Sequence, residues 1–231
     1  MTAILLHQWE MSPFCNKVRR CLAYKGLAYE VKDYNGLLAR KAAALSPVGK
    51  LPVLDYDGER IQDSGRIAEF LDARHPGRPL FPKDPQVRAK AGVWDDWAAQ
   101  SLYFYEIYFR MLDPVSLERG LDLVCKGRPG WERMVLRAVF KRRYPKKLAQ
   151  QGLARMPRAD VEKQFFGLLG NLDTLLASRQ WLAGDSLSIA DLSVVAQLSE
   201  FMRTSDLAPR VKALPALNAW MQRCDQAAPA Y

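Results

Sequence analysis

Histidine is nearly missing from this chain: His7 and His75 are the two in 231 residues. No His/Cys cluster has metal-ligand spacing, so the sequence predicts no metal site. Cysteine is sparse too. Cys15, Cys21, Cys125 and Cys224 make no dense framework, which predicts free thiols in a reducing cytoplasm. No apolar run approaches the roughly 18 residues of a membrane span. The first residues lack the charged region, apolar stretch and cleavage site of a secretory leader. The expectation is a cytoplasmic protein without a membrane span. Internal repeats and low-complexity tracts are also missing. What the chain does have is apolar mass: 49% of it is hydrophobic, enough to fill the core of one large domain or two modest ones.

Charge is concentrated in one place. The net charge is +9, yet eleven Lys/Arg and a single acid, Glu132, lie between Lys126 and Arg158, so the rest of the chain is close to neutral. Arg133, Arg137 and Lys141 recur at i, i+4 and i+8. A phosphate backbone, a membrane surface or an acidic substrate would use such a stripe; the plainer alternative is a solvated helix face beside a cleft. No nucleic-acid-binding motif accompanies it, and nucleic acid is not an expected partner.

Taken in order, Ile4–Gln8 reads as a strand, Cys15–Lys25 as a helix stopped by Gly26, and Tyr29–Asp33 as a second strand, a β-α-β unit with parallel strands. A short alanine-rich helix over Leu37–Leu45 comes next. Leu51–Asp55 is a third strand with Pro52 inside it. Asp57-Gly58 signals a hairpin, Arg60–Gln62 is the return strand, and Asp63-Ser64 caps a helix to about Arg74. This order is that of a thioredoxin-like α/β domain. Prolines then fall every third residue from Pro76 to Pro85, an extended connector and the clearest boundary. From Val87 onward the pattern is helical. One long helix, Val87–Met111, carries a dense set of aromatic residues. Gly127–Gly130, Pro145 and Pro157 punctuate the basic segment. Ser188 and Asp191 form a capping-box variant at the start of another helix, and a last helix begins after Leu214.

The stretch that organises the chain is Ser12-Pro13-Phe14-Cys15. A helix start has N–H groups without partners and a partial positive charge, so a thiolate placed there is stabilised. Pro13 suits the first helical position because it has no N–H to lose. Ser12 and Cys15 are therefore the side chains best placed to meet an anionic sulfur.

Three motifs together resemble the cytosolic glutathione S-transferase family over essentially the whole length. Ser12–Cys15 is similar to the active-site start of the zeta, omega and related bacterial classes. Ser46-Pro47-Val48-Gly49-Lys50-Leu51-Pro52-Val53-Leu54 is similar to the family's loop and cis-proline strand. Ser188–Asp191 is similar to its buried N-capping box. The resemblance implies a thioredoxin-like domain near 1–80 that binds glutathione, an all-α domain near 87–231 on the substrate side, and a homodimer. It also implies that Ser12 donates a hydrogen bond to the glutathione thiolate. The backbone of Leu51, before a cis Pro52, would pair with the cysteinyl part, and Asp63 and Ser64 would hold the γ-glutamyl end. Lys50 would reach a carboxylate. Asp63 departs from the family's usual Glu or Gln.

Alternatives stay open at several positions. Ser12 is either the thiolate's donor or only a helix cap. Cys15 stands where dithiol glutaredoxins have their second cysteine; the first is absent, which excludes an intramolecular C-x-x-C cycle. A mixed disulfide with glutathione remains open to Cys15, against the reading of a small buried residue on the face of Val18 and Leu22. Phe104 and Tyr108, at i and i+4, are expected to line an apolar substrate pocket facing Phe14, or else to be core. The expected function is transfer of glutathione to a small, largely apolar electrophile. The rivals are a thiol oxidoreductase or lyase working through Cys15, and a binding protein without catalysis.

Overall fold

Strand formation begins where the apolar run is. In the computed structural model, which describes residues 3–231, β1 covers Ile4–Gln8. Trp9 to Ser12 then turn the chain into α1, Pro13–Lys25, which ends at Gly26 in the left-handed region. The sheet is completed by β2 (Glu30–Asp33), β3 (Val53–Tyr56) and β4 (Glu59–Gln62) in the order β2-β1-β3-β4. β1 and β2 are parallel, and both other pairings are antiparallel. The β3–β4 hairpin turns through Asp57 and Gly58, both at positive φ, as that dipeptide predicts. The alanine-rich stretch differs from expectation: Gly36–Ala44 is a 3₁₀ helix. α2, Ser64–Arg74, closes this thioredoxin-like part.

The connector holds both halves. Leu80 is fully buried, its N–H and that of Phe81 donate to the Asp72 carboxylate at 2.7 and 3.2 Å, and its carbonyl accepts from Ile189 N–H at 2.8 Å.

The rest is helical. The expected long aromatic helix is three pieces: α3 (Pro85–Trp97), a π-helical turn (Ala98–Leu102) and α4 (Tyr103–Leu112). The π turn adds a residue and resets the faces of α4, which a 3.6-residue period cannot foresee. α5 is Pro114–Val124. The basic segment, expected to be broken, is mostly one helix, α6, over Gly130–Gln151. It runs through Pro145, which has no N–H to offer the Lys141 carbonyl. The chain ends with α7 (Arg158–Leu176), α8 (Ile189–Thr204), the short α9 (Ala208–Lys212) and α10 (Pro215–Ala227). α8 is buried on nearly every face, against α1 on one side and α3, α4 and α5 on others. Among the described residues no helix is long and apolar enough to cross a membrane.

Candidate functional site

Pairing register brings the site's parts to one end of the sheet. His7 lies opposite Val53, and Val53 opposite Gln62. The loop after β1, Pro52 before β3 and Asp63 after β4 therefore leave the sheet side by side. The Leu51–Pro52 bond is cis, as expected.

Ser12 caps α1. It is largely buried, its hydroxyl accepts from Cys15 N–H at a long 3.4 Å, and its carbonyl takes Asn16 N–H at 2.9 Å. The loop before it is fixed from the helical half: Arg110 of α4 donates to the Met11 carbonyl at 2.7 Å. A guanidinium nitrogen of Arg110 is also 2.9 Å from the Glu106 carboxylate, in a poorly aligned approach, and burial pushes that acid up to about 8. Sequence reasoning did not single out this pair. Its signal was a Glu and an Arg four residues apart within an aromatic helix.

Cys15 does not fit the role of a reactive thiol. It is fully buried, and burial pushes its thiol up to about 11, although the Ser12 hydroxyl and the Trp9 backbone pull it partway back. It falls at i, i+3 and i+7 with Val18 and Leu22 along α1, and all three are fully buried.

At the other helix start, the Asp63 carboxylate accepts from its own helix, from Gly65 N–H at 2.9 Å and Arg66 N–H at 3.3 Å. Its φ is +79°, an uncommon value for a side-chain-bearing residue. The short acid thus serves the cap that its position offers. Ser64 is buried beside it and Lys50 is exposed. The hydroxyls of Ser12 and Ser64 with two helix N-termini fit a peptide bearing a thiolate and carboxylates.

The aromatic wall is partly the expected one. The Phe14 ring lies 5.1 Å from that of Tyr103, and Tyr103 lies 5.5 Å from Phe104. Tyr103 was not among the predicted pocket residues; the π turn brings it there. Tyr108 does not join. One helical turn advances it about 6 Å along the axis, where it is buried edge-on against Phe109 with Arg158 and Glu162 as its nearest charges. Phe14 and Ala98 also line a small cleft that reaches Gln197 of α8.

The other face of α1 is ionic, and this was invisible in the sequence. Lys17 pairs with Asp95 at 2.6 Å, and Asp95 also accepts from the Ser193 hydroxyl. Asn16 donates to Glu200 at 2.8 Å, and Arg20 meets Asp225 and Ser199. These bonds fasten α1 to the helical half. Of the basic stripe on α6, Arg133 and Arg137 both bind Glu118 of α5, which takes them up in ion pairs on a partly solvated helix face.

The model of the glutathione S-transferase N-terminal domain matches residues 6–79, and that of the C-terminal domain matches residues 140–226. The chain belongs to the glutathione S-transferase family. It is 27% identical over 228 residues to the "Probable glutathione S-transferase parA" of Nicotiana tabacum, covering 96% of this chain and 84% of that protein. It is 29% identical over 196 residues to the "Probable maleylacetoacetate isomerase" of Caenorhabditis elegans, covering 83% and 75%. Among solved structures it resembles glutathione transferase F7 from Populus trichocarpa, with a TM-score of 0.68, 20% identity, and 99% and 95% of the two chains covered. The fold is accordingly that of this transferase family, a thioredoxin-like domain followed by an all-helical one.

Proposed function

We propose that this protein joins the glutathione thiolate to a small, largely apolar electrophile, with Ser12 donating a hydrogen bond to the thiolate sulfur. The observation that supports the reading is the position of Ser12: at a helix start, in the loop after β1, whose last residues pair with the strand that follows the cis proline, and holding its own helix only at 3.4 Å. Such a hydroxyl has little to lose by turning toward an anion, and the helix start adds its partial positive charge. Glutathione is the co-substrate. Leu51 and Pro52 would take its cysteinyl backbone, Ser64, Asp63 and Lys50 its carboxylates and amine, and Phe14 would sit next to its sulfur. In this reading residues near 1–80 bind glutathione, residues near 87–231 supply the electrophile's wall through Phe104 and Tyr103, and the protein works in the cytoplasm as a homodimer.

The test is calorimetric binding of glutathione, with titration of the bound thiol by ultraviolet absorbance and a panel of soft electrophiles. Binding, a thiol pKa below that of free glutathione, and turnover of at least one electrophile are expected. A bound thiol that titrates like free glutathione would remove Ser12 from the proposed role. Binding without turnover across the panel would favour a silent binding protein.

A further inference from the structure

The two halves of α6 treat their charges differently. In and just before the first half every arginine has an acid. Arg128 meets Glu132, Arg133 meets Glu118 and Asp122, and Arg137 meets Glu118. In the second half Lys141, Arg142, Arg143, Lys146 and Lys147 make no ion pair among the described residues.

One of those five cations, Lys147, stands on the aromatic wall, and the exposed Arg143 lies one turn before it on the same helix face. Phe140, Arg143, Tyr144 and Lys147 fall at i, i+3, i+4 and i+7, one face of the helix. Phe140 packs edge-on against Trp9, whose buried indole N–H has no acceptor among the described residues. Lys147 is half-buried. Its ammonium is 5.0 Å from the centre of the Tyr103 ring and 5.6 Å from that of Phe104, and it donates to the Tyr103 hydroxyl at 3.3 Å. Tyr103 in turn touches Phe14, two residues from Ser12. Burial and Arg143 both pull the Lys147 pKa down, as expected of a cation that lacks a counter-charge. The wall therefore runs from a proposed thiolate donor, over three rings, to Lys147, which like Arg143 has no acid among the described residues. Rings partly compensate an ammonium, but the full partner of a half-buried cation is an anion.

We propose that the electrophile carries a carboxylate on a flat body. The carboxylate pairs with Lys147 and Arg143, while the ring or double bond lies against Phe14, Tyr103 and Phe104 and presents its electrophilic carbon toward Ser12. This rests on the glutathione reading and narrows it: the apolar part of the substrate is its body, and one end is anionic. The carboxylate is a spectator. For an aryl chloride, glutathione loses its thiol proton to solvent, the sulfur forms the C–S bond, and chloride leaves with the C–Cl electron pair.

The experiment compares 4-chloro-3-nitrobenzoate with 4-chloro-3-nitrobenzamide, which undergo the same displacement and differ in charge. Each kcat/KM is divided by the uncatalysed rate with glutathione. The wild type should favour the benzoate by about tenfold or more, through KM, as a charge-assisted contact predicts. Lys147→Gln should lower the benzoate-to-benzamide ratio about tenfold. Lys141→Gln removes the same charge from the same helix but off the wall, and should leave the ratio unchanged. Equal service of both electrophiles, or a ratio untouched by Lys147→Gln, overturns the proposal while leaving the glutathione reading standing. If neither is turned over, the same ratio is read from calorimetric affinities of the two S-aryl glutathione products. Equal affinities overturn this proposal alone, and no binding of either overturns both readings.

Discussion

Two helices among the described residues, α1 and α8, have a serine as N-cap, and the two ends are built in opposite ways. α8 starts at Ser188, and a buried carboxylate closes this end. The Asp191 carboxylate, fully buried, accepts from Ser188 N–H and Oγ at 3.0 and 3.2 Å on one oxygen, and from Leu182 N–H and Trp220 Nε1 at 2.9 Å on the other. The next N–H, from Ile189, goes to Leu80 of the connector. α1 starts at Ser12, and the residue three positions on is Cys15, which brings no acceptor. The one side-chain bond there is 3.4 Å long. A closed helix start is an anchor; one left with a weak cap keeps donors and dipole for a ligand. The same residue type, at the same place on a helix, thus separates into a structural and a chemical role according to what stands three residues later.

The largest effect should come from opening the closed end. Asp191→Ala removes four hydrogen bonds and strands several buried donors, each worth about 1–3 kcal/mol when left unsatisfied. We expect a loss of about 3 kcal/mol or more in urea unfolding, with lower folding yield and unchanged glutathione affinity in the folded fraction. An unfolding midpoint equal to wild type would show that the box does not anchor α8.

Ser12→Ala is the converse. Stability should fall by about 1 kcal/mol at most, since a 3.4 Å cap is weak, whereas turnover should drop about 10²-fold, the lower end for one preorganised donor. The bound glutathione thiol should titrate higher. If turnover and the pH–rate profile were unchanged, and stability fell as far as in Asp191→Ala, the contrast between the two ends would collapse.

How much of this was legible depends on distance along the chain. β1, the Gly26 stop, the Asp57-Gly58 turn and both serine caps are encoded by residues close to one another in sequence, and these agree with the structure. Asp191 was readable as the partner of Ser188, three residues away, but its bonds to Leu182 and to Trp220, 29 residues on, were not. The ionic face of α1 is the same case. Lys17, Asn16 and Arg20 find Asp95, Glu200 and Asp225, and no local pattern announces a partner so far off. Periodicity also failed where the backbone left its standard period. The π turn at Ala98–Leu102 brought Tyr103 onto the wall, and Tyr108 lies a turn beyond it. The charge run was legible as composition, but Glu118 of α5 decides which of its members are spent.

The smallest effect should come from Cys15, and it sharpens the comparison because Cys15 occupies the position that Asp191 has in α8. Near a helix start a thiol is ordinarily acidified. Here burial outweighs that, with the pKa at about 11, so at pH 7 about one thiol in 10⁴ is ionised. Alkylation by iodoacetamide in the folded protein should therefore be slow and should keep rising with pH past about 9, where an exposed, activated cysteine would already have levelled off. Cys15→Ala should keep turnover within about threefold, because the thiol supplies neither a nucleophile nor a charge, and should cost about 1 kcal/mol of stability for the small void. A loss of turnover comparable to Ser12→Ala, with fast alkylation at neutral pH, would instead put the chemistry on Cys15 and make the open end of α1 a thiol site of its own.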